Sequence, residues 1–550
     1  MIRKITQLFK LHHLCLTTIL FSGGMSFAQT AAKNPVYNIK GNEVVAKRDL
    51  FAKHFLNEDG SYTAAIASGP IHYEKDGAFL NIDTTIRPFS STSYTYANTE
   101  NLLESYFGTT AHTGIKNKTK EGEVLEFLNT TLYWEVNASQ VGLQQSNNVP
   151  VTAVANKAYY NNLFGNIDAE FVLLNGKRKL NYIIPSFTDL GDAPANANYL
   201  VFTEQIMLPA NWTHSNTEEG LVISNEKQQR VYLYSNPYSY DAKGKQLRSN
   251  NTLMTVTAQG NTLTIATKVK ADWLLSANRV FPVTVDPTVI VFPDEANYNT
   301  GSVYSSDYYK LTADIAFGRD VDNAGAEDFL RGWAKFNTTS VPDDAIVSNG
   351  VRIDYYVFHA SPDYSPAYGH ELVFSQLTID PVTASGSTLY NAIGQFGYGP
   401  FVTTAINSVG WKSHTITSAT IQTDISNGLV NNNFSLGFMP QGNFYPEEFI
   451  AVDGWDYDKP YLTFTYTQPV MSTENFDKRV SIYPNPTEGI LTVASDYQVE
   501  SIKIYSLLGQ LIKANSLKSA IDMSSLPKGV YLAEIKLNNG QIMNEKVIKK

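Results

Sequence analysis

Cys15 is the one cysteine in a chain of 550 residues, and it falls inside the N-terminal leader. A mature chain without cysteine forms no disulfide and no thiolate metal site, and has no cysteine nucleophile. Charge is sparse as well. Charged residues make up 17% of the chain, with a formal net charge of -10 and no long run of either sign, against about 25% charged in an average globular chain. That excludes nucleic acid as a partner, because a phosphate backbone needs a basic surface. Long apolar runs are missing. The leader's "LCLTTILF", Leu14 to Phe21, is far short of the ~20 residues a membrane-spanning helix requires, and no later stretch suggests a transmembrane segment. Enzyme signatures are absent too: no Gly-x-Ser-x-Gly elbow, no His-Glu-x-x-His, no phosphate loop, no dinucleotide fingerprint.

The leader itself reads as an export signal. Arg3, Lys4 and Lys10 form a basic part, the apolar run follows, and "SFA" ends at Ala28. Small residues at the two positions a signal peptidase reads place the cut between Ala28 and Gln29. The rest of the chain favours strands. Aromatics reach 12%, with 33 Tyr and 28 Phe, and Tyr, Phe, Thr and Val are strand formers. "VRIDYYVF" from Val351 sets Val351, Ile353, Tyr355 and Val357 against Arg352, Asp354 and Tyr356. "YLTFTYT" from Tyr461 alternates in the same way. Period two is the pattern of a half-buried strand. No sustained helical periodicity and no repeat of 20 to 50 residues is legible. The expected fold is all-β, in several antiparallel β-sandwich domains. The expected organisation is a signal peptide over 1–28, a β-rich region of one or two sandwiches over 29–290, a second region over 291–468, a polar linker over 469–479 and a small terminal Ig-like sandwich over 480–550.

The terminal block opens on "YPNP", Tyr483 to Pro486. Two prolines fix two φ angles and remove two donors, so the segment is a stiff entry corner and not mid-strand. "GILTVAS" follows as a strand. "SIKIYSLLGQLIKA" is a strand, a corner at Gly509 and a second strand, and "GVYLAEIKLNNGQIMNEKVIKK" is a hairpin turning at Asn539-Gly540. In this order, the motifs resemble the C-terminal sorting domain of the type IX secretion system of Bacteroidetes. The resemblance implies passage through the type IX secretion machinery, removal of the domain, and release or attachment at the cell surface.

Two further resemblances lie upstream. "KRDLFAKHFLNEDGSYTAAIASGPIHYEKDGAFLNIDTTI" from Lys47, "YNNLFGNIDAEFVLLNGKRKLNYII" from Tyr160 and "DWLLSANRVFPVTVDPT" from Asp272 are similar to a region of bacterial wall-associated and Rhs-type surface proteins. The Tyr-Asp repeats and toxin of Rhs proteins are not present, so no toxin delivery carries over. His72, in "GPIHYEKDG", has no serine or carboxylate motif attached and reads as structural. From Val291, "LRGWAKFNTTSVPDDAIVSNGVRIDYYVF", "TDISNGLVNNNFSLGFMP" and "WDYDKPYLTFTYT" resemble the DNRLRE-type β-sandwich, a family that includes carbohydrate-binding modules.

Two constellations in this central region carry candidate sites. Trp455 and Tyr457 alternate with Asp456 and its acidic neighbours; sugar rings stack on flat aromatics while carboxylates accept their hydroxyl protons. Trp333 and Trp411 belong to the same aromatic set and have a core reading as well, the plainer one for Trp333; Trp455, Asp456 and Tyr457 are the expected carbohydrate-binding residues. In "DVDNAGAED", Asp320, Asp322 and Asp328 are hard oxygen ligands around a turn, which suits calcium (Ca2+); the position of an EF-loop glutamate is Arg331, and a solvated acidic loop is the plainer reading. The functional expectation is an exported, non-catalytic protein at the cell surface or outside the cell that binds polysaccharide or surface glycan. The alternatives are a structural or adhesive surface protein, and a polysaccharide-active enzyme whose paired carboxylates leave no sequence motif.

Overall fold

A computed structural model describes residues 34–127, 130–243, 251–291, 299–312, 314–321, 327–348, 350–360, 371–402, 406, 408–441, 448–454, 458–468, 480–495, 497–507, 509–516, 518–538 and 542–550. The Ala28/Gln29 cleavage site and the 469–479 linker lie outside these residues. The chain divides after Thr467 into a large body and a terminal unit. Both are built of antiparallel sheets, so the all-β sandwich architecture holds.

The body contains two sandwiches. In the first, a ten-stranded sheet packs on an eight-stranded one. Phe107, Leu132, Trp134 and Phe202 from one sheet meet Tyr160, Phe171, Tyr182 and Val285 from the other. Alternation does the sorting: along Tyr199–Met207, Leu200, Phe202 and Ile206 are buried while Gln205 is exposed. In the second, a fifteen-stranded sheet curls around one core that includes Phe317, Tyr355, Phe374, Phe438 and Phe464.

This second sheet crosses the boundary expected at 290/291. The strands Asn42–Glu43, Ala52–Leu56 and Tyr62–Ala67 belong to it, with Tyr62 opposite Tyr466, Ala64 opposite Phe464 and Ile66 opposite Leu462. Ala64 and Ile66 need a second apolar surface, and the last strand of the body, Tyr461–Thr467, supplies it. His54 pins this junction. It is fully buried, with the Tyr466 hydroxyl 3.0 Å from Nδ1 and the Ser340 hydroxyl 3.0 Å from Nε2.

One helix departs from the sequence expectation that none would be sustained. Ala419–Leu429 is capped by the Ser418 hydroxyl, which accepts from the Thr420 N–H, and it buries Ile421, Ile425 and Leu429. Spacing of four places those residues on one face, but the run is only eleven residues and its polar positions obscured the period. A second short helix, Gly386–Ala392, lies over Trp333, which is fully buried as expected. Two cations hold that cover in place. The Lys310 ammonium donates to the carbonyls of Pro381, Val382 and Ala384 at 2.8, 2.9 and 3.0 Å. The Arg331 guanidinium donates to the carbonyls of Tyr390 and Ile393 at the other end. Lys310→Met strands three half-buried acceptors and is expected to cost about 1–3 kcal/mol. Hydrogen exchange should accelerate over 386–393. Unchanged exchange there would show that the cover is held without Lys310.

The terminal unit is a three-stranded sheet, built from Val480–Tyr483, Ile490–Ser495 and Ala520–Asp522, over a four-stranded one. Leu491, Val493, Ile502, Ile504, Ile535 and Val547 fill its core. The "YPNP" corner has a definite task. Asn485 Nδ2 donates to the Lys546 carbonyl at 2.6 Å, and its Oδ1 accepts the Ile548 N–H at 2.9 Å. Thr487 then exchanges backbone bonds with Ile548 and Lys550. An asparagine held between two rigid prolines thus fastens the last strand, Ile542–Lys549. Gly509 turns the Val499–Ser506 strand into the next with φ +79°, a conformation that favours glycine. The Asn539-Gly540 turn lies outside the described residues.

Candidate functional site

The three residues expected to hold carbohydrate, Trp455, Asp456 and Tyr457, lie outside the described residues, as does Asp322 of the acidic loop. Its other two carboxylates are in place. Asp320 and Asp328 face each other across the hairpin of Ile315–Val321 and Glu327–Asn337. Asp328 is already engaged: it accepts the N–H groups of Ser305 and Ser306 at 2.7 and 2.9 Å and both of their hydroxyls. It staples the 305–306 loop to the hairpin. Among the described residues, no group of three or more His, Asp or Glu side chains converges as a metal site. Trp411 is half-buried, edge-on to Tyr356 and packed toward Tyr461.

His72 is fully buried and donates from Nδ1 to the Asp49 carbonyl at 2.5 Å. Burial pushes its imidazole down to about 4, so it is neutral. Nearby, the Ser340 hydroxyl links the Asp49 carboxylate and the His54 imidazole. The order is carboxylate, hydroxyl, imidazole, whereas a serine nucleophile needs the imidazole between the other two. This row ties the "SVPDDA" turn to the 42–67 strands.

A surface that the sequence reading did not single out is hollowed instead. On the first sandwich, five neighbouring strands (Thr131–Val136, Ser139–Gln145, Tyr199–Met207, Thr252–Gln259 and Thr262–Lys270) turn their outer faces to a cleft of about 550 Å3. Its lining is mainly Thr and Gln side chains, which present methyl and methylene groups as well as hydroxyls and carboxamides. One row runs from Gln145 to its register partner Thr131, crosses to Thr203 by a hydroxyl contact, and continues through the register partners Ala266 and Thr255; a second sets Gln205 against Thr264 and Thr257. The Thr131 and Thr203 hydroxyls are 2.9 Å apart. Tyr133 and Lys268 complete the lining. Lys268 is not a bare charge, since its ammonium lies 2.6 Å from the Glu135 carboxylate. Part of the signal was present in the sequence: in "YLVFTEQIM", "TLTIATKVK" and "TLMTVTAQ" the residues out of phase with the core include Thr203, Gln205, Thr255, Thr257, Gln259, Thr262 and Thr264.

Directly beneath the cleft, on the inner side of the same strand, sits Glu204. It is buried between the sheets near a charged pair. Arg178 and Glu126, each 2% exposed, form an ion pair. Arg178 also donates to Asn117 at 2.6 Å, and Asn117 and the Tyr234 hydroxyl donate to Glu126 at 2.7 and 2.8 Å. Burial, and then the Glu126 charge, push the Glu204 carboxyl up to about 8, while Arg178 and the Tyr182 hydroxyl pull it back.

Comparison with known proteins places the terminal unit. Residues 481–550 match the secretion system C-terminal sorting domain. A curated relative, the beta-agarase D of Zobellia galactanivorans, is 29% identical over 72 residues, which is 13% of this chain and 15% of that enzyme. The chain thus spans only a small part of that relative's length. Among solved structures, the extracellular domain of a hybrid two-component system from B. thetaiotaomicron is 10% identical, covering 90% of this chain and 79% of that one at a TM-score of 0.11. The alpha-2-macroglobulin of Salmonella is 7% identical, covering 89% and 30% at a TM-score of 0.10. Neither resemblance extends to the fold. The sorting domain marks the chain as cargo for export.

Proposed function

We propose that this protein is a type IX secretion cargo, delivered to the cell surface or the medium, whose body holds glycan without cutting it. The sorting domain at 481–550 carries the reading. An address of this kind is useful only for a passenger that works outside the cell, and the body is that passenger. Its two sandwiches present broad sheet faces, one of them hollowed and lined with sugar-compatible groups. The agarase that shares a stretch with this chain acts on a polysaccharide, which fits the same setting. The likeness of 29–290 to wall-associated surface proteins and of 291–468 to carbohydrate-binding sandwiches supports the surface role.

Deleting everything after Thr467 in a type IX-competent host tests the first half. The truncated chain should accumulate in the periplasm, with its amount at the surface and in the medium falling at least tenfold. Wild-type levels outside the cell would sink the sorting role. For the second half, the mature chain should sediment with insoluble polysaccharide and release no reducing sugar from it. Release of reducing ends would assign it to the enzymes.

A further inference from the structure

We infer that the Thr/Gln-lined cleft on the outer face of the first sandwich is a binding site for an unbranched neutral polysaccharide lying across the strands. The inference rests on the reading of the body as a glycan holder, and gives it a location away from Trp455, Asp456 and Tyr457.

The lining chemistry selects the ligand class. Threonine hydroxyls and glutamine amides each donate and accept, as sugar hydroxyls do. A ladder of such groups can therefore satisfy a ligand whose every ring carries hydroxyls pointing to both sides. Charge selects further. The one cation among the described residues of the cleft, Lys268, is neutralised by Glu135, so neither a uronate nor a phosphate finds an unpaired partner there. Peptides are disfavoured because their side chains need apolar pockets. Val201, between its register partners Tyr133 and Lys268, is fully buried, so the cleft shows no large aliphatic side chain to receive one.

Geometry makes the row continuous. Thr203 pairs with Ala266, and Ala266 with Thr255, on adjacent strands. Neighbouring strands are about 4.8 Å apart, close to the length of one sugar ring in an extended chain, so one ring can meet one strand. Threonine is β-branched and stiff at χ1, which fixes its hydroxyl direction before any ligand arrives. Little side-chain freedom is then lost on binding. Ala266 is the small residue in the middle of the row and leaves the floor open. Tyr133 is 8% exposed, which leaves too little ring surface to stack a sugar, and the site works by hydrogen bonding.

Calorimetry on the full mature chain tests this with neutral agarose oligosaccharides, neutral β-glucan oligosaccharides and polygalacturonate. Ala266→Trp should fill the floor. Thr255→Val with Thr264→Val should remove two hydroxyls at constant shape and act as the control for misfolding of the bulkier variant. Binding of a neutral oligosaccharide by the parent, weakened at least tenfold in both variants, with no binding of polygalacturonate, supports the site. Equal binding by parent and both variants overturns the site but leaves the body a glycan holder. Binding of polygalacturonate alone overturns the neutral class. No binding of any probe overturns the glycan reading, and the site falls with it.

Discussion

Arg178→Leu should destabilise the first sandwich by about 3–5 kcal/mol, the range seen when one partner of a buried ion pair is removed. The guanidinium is the only cation in contact with Glu126 among the described residues, and both side chains are 2% exposed. Without it the Glu126 carboxylate keeps two neutral donors, Asn117 and the Tyr234 hydroxyl, and loses its countercharge between two sheets that exclude water. Glu204 loses the one cation that draws its carboxyl down, so it holds its proton more firmly. Removing both members of the pair should behave differently. Arg178→Leu with Glu126→Leu replaces a desolvated pair by apolar volume, a change that is often neutral or stabilising, and it should recover most of the loss. Urea unfolding, read by hydrogen exchange over Lys177–Ile184, gives both numbers. A loss under 1 kcal/mol for the single variant would mean that water reaches the pair.

The second large effect is alkaline weakening of the same sandwich. The Glu204 carboxyl is raised to about 8 from an ordinary value of 4.5. Between those values the folded chain keeps a proton that the unfolded chain releases, so each step upward in pH favours unfolding. The contribution is fully present below 4.5 and is lost as pH rises through 8, amounting to about 4–5 kcal/mol. Glu204→Gln removes the titration. It should match the parent near pH 4 and exceed it in stability at pH 9. Parallel pH profiles for the two proteins would remove Glu204 as the cause. Acid acts elsewhere in the body. Burial lowers His54 and His72 to about 4 from 6.5. Their contribution is complete above 6.5 and is lost as pH falls toward 4, about 3 kcal/mol for each. Exchange at low pH should therefore open the 42–75 strands first, and exchange at high pH the Tyr199–Met207 strand.

The sandwich class was legible because alternation is local. Val351, Ile353, Tyr355 and Val357 announce a half-buried strand and are fully buried. The sorting domain was legible because its motifs follow one another within seventy residues. The charged core was legible in part. Glu204 is in phase with Leu200, Phe202 and Ile206, and Arg178 with Leu180, Tyr182 and Ile184, so phase alone places both inside. That they meet Glu126 is a property of two sheets facing each other, and no local period encodes it. The same limit hid the pairing of Tyr62–Ala67 with Tyr461–Thr467, about four hundred residues apart. The hollow face was hidden for a related reason: each strand shows its Thr and Gln, but the row exists only once five strands are set side by side.

The arrangement of strands 42–67 beside Tyr461–Thr467 also decides how the body carries tension. Ala52–Leu56 and Tyr461–Thr467 both run antiparallel to Tyr62–Ala67, so they point the same way on its two sides. The chain enters Ala52 at the end of the trio where Ile66 and Leu462 lie, and leaves Thr467 at the opposite end, beside Tyr62 and Tyr466. A pull between residue 52 and residue 467 therefore slides these strands along their length and loads all of their ladder bonds together. The two-residue strand Asn42–Glu43, paired with Phe55 and Leu56, precedes residue 52 in the chain and bears none of this load. Against a load applied at those two points the trio gives way as one unit rather than bond by bond.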